Sequence, residues 1–350
     1  MGRESQTGQA RAPEAREPAR GPASRRRARR RSGWAPYLFV GPLVLVFAGF
    51  YLWPAVQTVV SSFFEWGLLN PWKATDPQTW EFVGLDNYTT TLSSPSFWNA
   101  ALNTVVWLIV LPLLVGVVSL ILALLVWFIG RGSSAYRSAF VLPLTISLAA
   151  IGVIWTFVYN PDPDVGVLNA VLRFLRLDDV DVDIGWFELH LGEWLSNPGH
   201  LDLGPVQIKF ANLAVIIPAF WAFTGFGVIT FTAGLTALPN DLVEAARVDG
   251  AGPVQTVRYV IVPSLRGPMI VVLVQMVIFA LRTFDIVYVM TGGGPAEDTM
   301  VLALLLWLQA FEFLDTPQAG ESAAIAVLLS VVMVVGAYPY IRRATRRERR

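Results

Sequence analysis

The chain has 350 residues, of which 54% are hydrophobic and 15% are charged, and its mean hydropathy is +0.53. Soluble proteins carry about a quarter charged residues, so this composition excludes an ordinary soluble domain and indicates a membrane protein. The 26 basic and 26 acidic residues cancel in number, and the absence of cysteine excludes disulfides and thiolate chemistry.

The chain begins with a basic segment, residues 1–36, which holds ten arginines and three acidic residues among Pro, Ala, Gly and Ser. Such a segment cannot bury enough apolar surface to fold, so we expect a disordered tail. Its arginine run at 25–31 is either a nucleic-acid patch or a retention signal before a first membrane helix. The second interpretation is favoured, so no nucleic-acid partner is expected. The next apolar stretch is too long for a cleaved signal peptide.

Six apolar segments are long enough to cross a hydrocarbon core of about 30 Å, which takes about 20 helical residues. We therefore expect an all-α membrane protein with about six transmembrane helices in one domain, residues 37–341, and a basic tail over 342–350. Residues 300–311 are apolar but too short to span, and are predicted to form a re-entrant or interfacial helix. The spans are predicted at 37–60, 104–128, 138–159, 211–235, 268–290 and 323–341.

The loops differ strongly in charge. Both tails and loops 129–137 and 236–267 together hold 21 arginines and 7 acidic residues, whereas loops 61–103, 160–210 and 291–322 hold 4 basic and 18 acidic residues. Cytoplasmic loops collect Lys and Arg, so both termini are predicted to be cytoplasmic in a cell inner membrane.

Loop 160–210 is acidic, with Asp178, Asp179, Asp181 and Asp183 close together. Carboxylates could hold calcium, but the spacing does not fit an EF-hand, so a solvated acidic loop without metal is the expectation. The two histidines of the chain, His190 and His200, also lie in this loop and are interpreted as surface residues.

The cytoplasmic loop 236–267 has the pattern of a helical hairpin. Leu242, Ala245, Ala246 and Asp249 fall at i, i+3, i+4 and i+7, so they share one helix face. Pro239 suits a first helical turn and Gly250 suits a left-handed helix end. Pro253 can start a second helix, and Pro263 interrupts the pattern before the fifth span. These residues predict a docking element on the inner side of the membrane.

This loop resembles the EAA loop of permeases from binding-protein-dependent ABC importers. The matching residues are Glu244-Ala245-Ala246, then Asp249-Gly250-Ala251, then Pro263 at the family's spacing. Val257 and Val260 stand where the family usually has Phe and Ile, which predicts a smaller docking ridge.

Further segments resemble the carbohydrate importers, in particular the maltose-permease branch in its six-span form. They are Phe82–Tyr88 (FVGLDNY), Phe97–Thr104 (FWNAALNT), Thr283–Pro295 (TFDIVYVMTGGGP) with Thr299, and Ala323–Leu329 (AAIAVLL). The likeness covers about residues 34–341 and implies the MetI-like fold of type I ABC importer permeases, with a sugar or oligosaccharide as solute.

The resemblance implies that the chain works in an assembly with a homologous second permease, a dimeric ABC ATPase and an extracytoplasmic solute-binding protein. Glu244 would meet the ATPase, and Asp249-Gly250 would hold the bend of the hairpin. The glycine run 292–294 is no P-loop, because no Gly-Lys-Ser/Thr follows it. We therefore expect a transport subunit, not an enzyme, that binds no cofactor itself, with ATP and Mg used by the partner ATPase. The glycine run is interpreted as a turn at the outer mouth of span five.

Five side chains are candidates for the solute path. Ionisable residues inside a span are functional candidates because their burial is costly, and Arg282 and Asp285 lie three residues apart in the predicted fifth span, on one helical face. Gln275 and the aromatic residues Trp221 and Phe223 could bind a sugar by hydrogen bonding and ring stacking.

Two other classes of protein stay open. A membrane-embedded enzyme acting on lipid would need acid–base or metal groups near the membrane, where the histidines of this chain offer no ligand motif. A stand-alone ion-coupled carrier would need buried carboxylates in mid-span, and only the predicted fifth span contains one, Asp285.

Overall fold

The computed structural model describes residues 35–66, 81–129, 133–177, 180–197, 199–204, 207–312 and 318–347. The predicted N-terminal tail therefore lies, up to residue 34, outside the described residues. The chain divides into two compact units, Met1–Pro54 and Ala55–Arg350.

The helices are α1 (Ala35–Phe47), α2 (Trp53–Ser61), α3 (Asp86–Ser93), α4 (Pro95–Ile129), α5 (Ser133–Val141), α6 (Leu148–Val158), α7 (Val167–Leu175), α8 (Phe210–Thr236), α9 (Asn240–Val248), α10 (Pro253–Thr256), α11 (Val262–Ser264), α12 (Arg266–Leu281), α13 (Asp285–Met290), α14 (Leu302–Trp307) and α15 (Ala319–Arg347).

The first unit contains α1, the π-helical turn Ala48–Leu52 and the start of α2. Together with the rest of α2 these residues form one helix, Tyr37–Ser61, of 25 residues that is long and apolar enough to cross a membrane. Its large apolar side chains are exposed, Phe39 to 84%, as expected of a helix that faces lipid. This helix occupies the range predicted for the first span.

The core of the second unit lies where α4, α8 and α12 pack together. α4 and α8 are apolar on all faces, a pattern typical of helices that are buried or face lipid. Trp107 and Leu111 of α4, Phe231 of α8 and Met276 of α12 are fully buried between them.

Small residues let α8 approach its neighbours closely. A Cβ atom added to Gly225 would overlap the backbone carbonyl of Phe140, next to the end of α5. One added to Gly227 would overlap the Ser119 side chain on α4. Close approach through glycine and serine is the usual way that membrane helices pack, since the hydrophobic effect does not drive them together in lipid.

The third predicted span, 138–159, falls on a pair of helices with a sharp bend between them. A 3₁₀ segment, Leu142–Thr145, follows α5, and α6 leaves it at an angle of 99°. Pro143 in that segment has no N–H to donate, and Ser147 caps the new helix by accepting a hydrogen bond from the Ala150 N–H (3.3 Å).

The fifth predicted span is also interrupted, because α12 ends at Leu281 and α13 begins at Asp285. The Arg282 N–H donates to the Phe279 carbonyl (3.0 Å), three residues back, and this tighter turn ends α12. Arg282 and Asp285 therefore do not share one helical face, contrary to the sequence-based expectation.

The described residues contain three helices long and apolar enough to cross a membrane, or five if each bent pair counts as one span. The sixth predicted span falls on α15, whose shorter apolar part is Ala319–Val334, and α15 continues to Arg347 through part of the predicted tail. α14 and the π-helical turn Leu308–Glu312 occupy the predicted short helix over 300–311, whose position in the membrane remains a prediction.

The prediction of a helical fold is confirmed for the body of the chain, but the loops also contain short strands that the sequence did not indicate. In loop 160–210, β3 (Asp181–Asp183) pairs with β4 (Glu188–His190), and β5 (His200–Asp202) pairs with β6 (Gln207–Lys209), all antiparallel. A bridge between Phe187 and Leu201 joins the two hairpins. A third pair, β1 (Phe64–Glu65) with β2 (Glu81–Phe82), precedes α3.

Candidate coupling hairpin and solute path

The segment 238–263, called the coupling hairpin below, is built around a capped helix end. The Ala251 N–H donates to the Ala246 carbonyl (2.9 Å), and the Gly250 N–H donates to the Arg247 carbonyl (3.0 Å). These two bonds are those of a Schellman motif, which needs a left-handed residue at the position of Gly250, and Gly250 has a φ of +83°. The Asp249-Gly250-Ala251 pattern therefore specifies the end of α9.

The second half of the coupling hairpin starts at Pro253, as expected from a residue whose missing N–H costs nothing in a first turn. The Gln255 side chain accepts a hydrogen bond from the Gly252 N–H (2.9 Å) at the start of α10. The chain then continues through the π-helical turn Val257–Ile261 into α11. Pro263 lies inside α11, and the bend of 66° before α12 falls just after it.

Only one side of the coupling hairpin is buried in the chain. Val243 of α9 and Ile261 are buried, to 8% and 1% exposure, and Val257 packs against the core. The Val257 difference from the family pattern thus alters the hairpin's own packing more directly than the exposed ridge.

The other side of the coupling hairpin is exposed. Ala245 and Asp249 are exposed, and so is the Glu244 carboxylate, which has no hydrogen-bond or ion-pair partner among the described residues. Large apolar side chains surround them, with Val248 exposed to 88% and Val254 to 78%. An exposed surface that combines valine side chains, small residues and a carboxylate without a partner is typical of a protein-binding site.

A cavity of about 310 Å³ separates the coupling hairpin from the end of α4. The cavity is lined by Trp127, Phe128, Val243, Arg247, Ala251, Pro253, Thr256 and Ile261.

The coupling hairpin leads directly into α12, whose start is locked to the end of α8. A Cβ atom added to Gly234 of α8 would lie 2.7 Å from Pro268 Cγ and 2.8 Å from Leu265 Cδ2. The end of α8 and the start of α12 are therefore in close contact where the hairpin joins α12.

The solute-path candidates divide into two groups. Gln275 and Arg282, seven residues apart on α12 and at its end, are exposed, and Phe279 between them packs on Phe223 of α8 with ring centres 4.3 Å apart. Asp285 is exposed at the first turn of α13. Trp221, by contrast, turns away to α6, where its ring meets Trp155 at 6.1 Å. Gln275, Arg282 and Asp285 are thus exposed, Phe223 lies against α12, and Trp221 is directed to α6.

Comparison with known proteins decides the family. Residues 84–347 match the family described as "Binding-protein-dependent transport system inner membrane component". The chain belongs to this family. It is also 30% identical over 317 residues to a probable ABC transporter permease protein of Pyrococcus horikoshii, covering 89% of this chain and 97% of that one.

Two further relatives of this permease carry more specific descriptions. A xylose/arabinose import permease protein of Haloferax volcanii is 33% identical over 261 residues, 74% of each chain. A crystal structure of a bacterial alginate ABC transporter, in complex with an alginate pentasaccharide-bound periplasmic protein, has a TM-score of 0.64 at 20% identity. It covers 86% of this chain and 91% of that one. At that identity the structure supports the fold, an ABC importer permease fold.

Sequence analysis missed a polar lock that fixes the segment 291–302 of the permease to the start of α4. The Asn103 side chain donates to the Met300 carbonyl (2.9 Å), and the Asn99 side chain donates to the Glu297 carbonyl (2.8 Å). The Thr104 hydroxyl accepts from the Leu302 N–H (3.0 Å). These bonds explain why the Asn and Thr residues of the 97–104 segment stand where they do.

The same lock continues into the core. The Asn212 side chain of α8 donates to Asn103 (3.1 Å) and accepts from the Trp107 indole N–H (2.9 Å), and all three residues are buried. Thr291 and Thr299 bond to each other through their hydroxyls (2.7 Å) and close the glycine turn. The 291–299 segment is therefore an ordered turn tied to α4, as its glycines suggested.

Both histidines of the permease meet at one carboxylate, which the sequence alone did not indicate. His190 bonds to Asp181 (2.9 Å) and to Glu188 (3.1 Å), and His200 Nδ1 lies 3.6 Å from the other Glu188 oxygen. The bonds to Glu188 and Asp181 raise the pKa of His190 above its ordinary value. Asp178 and Asp179 lie outside the described residues, within which no group of three or more acidic or histidine side chains could hold a metal ion.

Proposed function

We propose that the permease forms one half of an ATP-driven importer and docks a cytoplasmic ATPase dimer through its coupling hairpin. The observation that carries this proposal is the exposed face of a firmly capped α9, with the free carboxylate of Glu244 beside Ala245. A rigid, small-residue face allows close approach by another protein, and the exposed Val248 supplies apolar area. Glu244 would pair with a basic or polar group of the ATPase.

The route of coupling follows the chain. ATP-driven closure of the ATPase pair moves the coupling hairpin, and the short connection at Leu265, between α11 and α12, carries that motion to α12. The tight contact of Gly234 with Pro268 carries it on to α8. Alternation between outward- and inward-facing states then needs two packed arrangements of these helices, which is how rigid-body switches work.

The orientation follows from charge. We propose cytoplasmic termini, because both tails and loops 129–137 and 236–267, which include the coupling hairpin, together hold 21 arginines and 7 acidic residues. The hairpin loops β3–β6 then lie outside the membrane. There they are available to a solute-binding protein, a partner supported by the periplasmic protein in the alginate transporter complex.

The proposed solute is of the sugar type. The support comes from the pentose import permease of Haloferax volcanii and from the alginate transporter. Gln275, Arg282 and Asp285 offer both donors and acceptors at exposed positions on α12, at its end and on α13, as sugar hydroxyls require. Phe279 and Phe223 add aromatic faces. An exposed arginine would be costly against lipid, so we expect Arg282 to face a water-filled path shared with a homologous second permease.

Reconstitution tests the proposal directly. The purified permease is placed in liposomes alone, with its partner permease, and with partner permease, ATPase pair and solute-binding protein. Uptake is expected only in the complete assembly and only with ATP and Mg. Uptake by the permease alone, driven by an ion gradient, would instead support the ion-coupled carrier.

The solute class needs its own measurement. Competition for uptake in the complete assembly, with a panel of pentoses, oligosaccharides, α-glucosides and glycerol phosphate, is expected to show inhibition by one carbohydrate group. Inhibition by none of them, together with uptake of an unrelated solute, would contradict the sugar assignment while leaving the importer mechanism intact.

A further inference from the structure

α7 exposes its apolar residues and buries a polar one, which is the reverse of an amphipathic helix in a soluble protein. Val167, Val171, Phe174 and Leu175 fall at i, i+4, i+7 and i+8 and so form one stripe, and they are exposed to 60%, 48%, 85% and 55%. The polar Asn169, on the opposite side, is 4% exposed. A stripe left exposed by all the residues that the structure describes calls for an apolar environment beyond them.

The inward side of α7 is fixed firmly, so the outward stripe is not the result of a loose helix. The Asn169 side-chain amide donates to the carbonyls of Asn160 (3.0 Å), Pro161 (3.0 Å) and Gly192 (2.9 Å). Its side-chain oxygen accepts from the Trp194 indole N–H (2.9 Å).

The anchor of α7 places it at the level where α6 ends. Trp194, bonded to Asn169, stacks on Tyr159 with ring centres 5.5 Å apart, and Tyr159 follows the last residue of α6 and contacts Trp155 at 5.2 Å. Trp and Tyr concentrate at the boundary between hydrocarbon and headgroups. α7 is therefore tied, through Trp194, to an aromatic cluster at the end of α6.

The apolar surface also continues from the span to α7. Phe157 on α6 is exposed to 60% and Val165, between the helices, to 52%, and the α7 stripe starts two residues later. Arg173 in the last turn of α7 is paired with Asp164 (2.7 Å), and Arg176, at the end of the helix, is exposed where anionic headgroups would attract it.

From this arrangement we infer that α7 is an interfacial helix whose Val167–Val171–Phe174–Leu175 stripe is buried in the lipid leaflet at the Tyr159 end of α6. The inference depends on the membrane location of the family and not on transport. The proposed orientation only decides that this leaflet is the outer one. An anchored α7 fixes the base of the outer β-hairpins against the membrane surface.

The absence of cysteine makes a site-directed test direct. Phe174→Cys and Val171→Cys are made separately in the full chain and labelled with a nitroxide. The protein is reconstituted in vesicles of phosphatidylethanolamine and phosphatidylglycerol, both alone and in the assembled transporter. Power-saturation electron paramagnetic resonance then measures collision with oxygen, which concentrates in lipid, and with a water-soluble nickel chelate.

Two control positions calibrate the measurement. Phe157→Cys on α6 reports a lipid-facing site, and Leu203→Cys, exposed to 56% in the turn between β5 and β6, reports a water-facing site. Labels at Phe174 and Val171 are expected to show an oxygen-to-nickel ratio several-fold above that at Leu203 and close to that at Phe157, in both samples.

Either of two results would overturn the inference. A ratio like that of Leu203 would mean that α7 faces water. If the labels are shielded from both oxygen and the nickel chelate only in the assembled transporter, a partner protein covers the stripe. Failure of the proposed function would appear as lost assembly or uptake and would leave the measurement on the chain alone unchanged.

Discussion

The cap of α9 offers the sharpest quantitative test of the coupling hairpin. Gly250 has a φ of +83° and donates the hydrogen bond to Arg247, and a Cβ atom added to it would meet nothing within 4 Å. A side chain at Gly250 therefore has space, and its cost is that of the left-handed backbone alone. That cost is about 1–2 kcal/mol for an ordinary residue and smaller for asparagine.

The expected effects form a series. Gly250→Asn should have little effect, Gly250→Ala should destabilise the cap by about 1 kcal/mol, and Gly250→Val should cost more, since β-branched residues avoid positive φ. One kcal/mol corresponds to about a fivefold change in the opening equilibrium. Gly252→Ala is the matched control, because Gly252 has a φ of −69° and its Cβ would make only an ordinary contact at 3.8 Å with Gln255.

Hydrogen exchange measures this equilibrium at the bond itself. The Ala251 amide, which donates to Ala246, should exchange about fivefold faster in Gly250→Ala and at the original rate in Gly252→Ala. ATP-driven uptake should fall in the order Asn, Ala, Val. The explanation of the motif as a Schellman cap would be refuted by either of two results. The Ala251 amide could exchange at the same rate in all Gly250 variants, or it could exchange as fast in Gly252→Ala as in Gly250→Ala.

Three further predictions concern packing, the polar lock and pH. Gly225→Ala should lower the thermal stability of the detergent-solubilised permease by size-exclusion melting, because its Cβ overlaps backbone, whereas Gly267→Ala, with nothing within 4 Å, should not. Asn212→Ala should lower the free energy of unfolding by about 1 kcal/mol, because it leaves the buried Trp107 N–H without an acceptor. Adding Trp107→Phe should recover part of that loss, and the absence of any recovery would contradict the reasoning. Since the folded pKa of His190 is raised above 6.5, its stabilising effect on the β3–β4 and β5–β6 hairpins is complete below that pH and is lost as pH rises through the raised value. Proteolysis of these hairpins should accelerate with rising pH, and His190→Gln should remove that dependence.

The local chemistry of the coupling hairpin could be predicted from the sequence because proline and glycine act through their own backbones. Pro253 starts a helix and Gly250 ends one whatever surrounds them, and the structure agrees with both. Long apolar segments likewise predicted the helices, since the length needed to cross lipid is set by the bilayer.

The breaks in two spans were not predictable because membrane helices tolerate proline and polar residues without breaking. Pro143 lies at a 99° bend, whereas Pro112 and Pro218 lie inside the continuous helices α4 and α8. Which of these positions bends depends on tertiary partners that satisfy the freed backbone groups. For the same reason the expectation that Arg282 and Asp285 share one face was wrong.

Contacts between distant parts of the chain were also beyond sequence analysis. Asn103 and Met300 are 197 positions apart, and His190 and His200 meet only because two hairpins are bridged. A spacing pattern reports neighbours on one element and carries no signal for such pairs.

Charge reversal at Glu244 in the complete reconstituted transporter tests the central claim most directly. Glu244→Lys is expected to leave insertion, thermal stability and the fold unchanged, because the carboxylate is exposed and has no partner among the described residues, but to abolish ATP-driven uptake, because the proposed function assigns that carboxylate to the ATPase contact. Glu193→Lys, the same change at an exposed site in loop 160–210, should leave the coupling of ATP hydrolysis to uptake intact. Normal ATP-coupled uptake by Glu244→Lys would contradict the assignment of the hairpin as the coupling site.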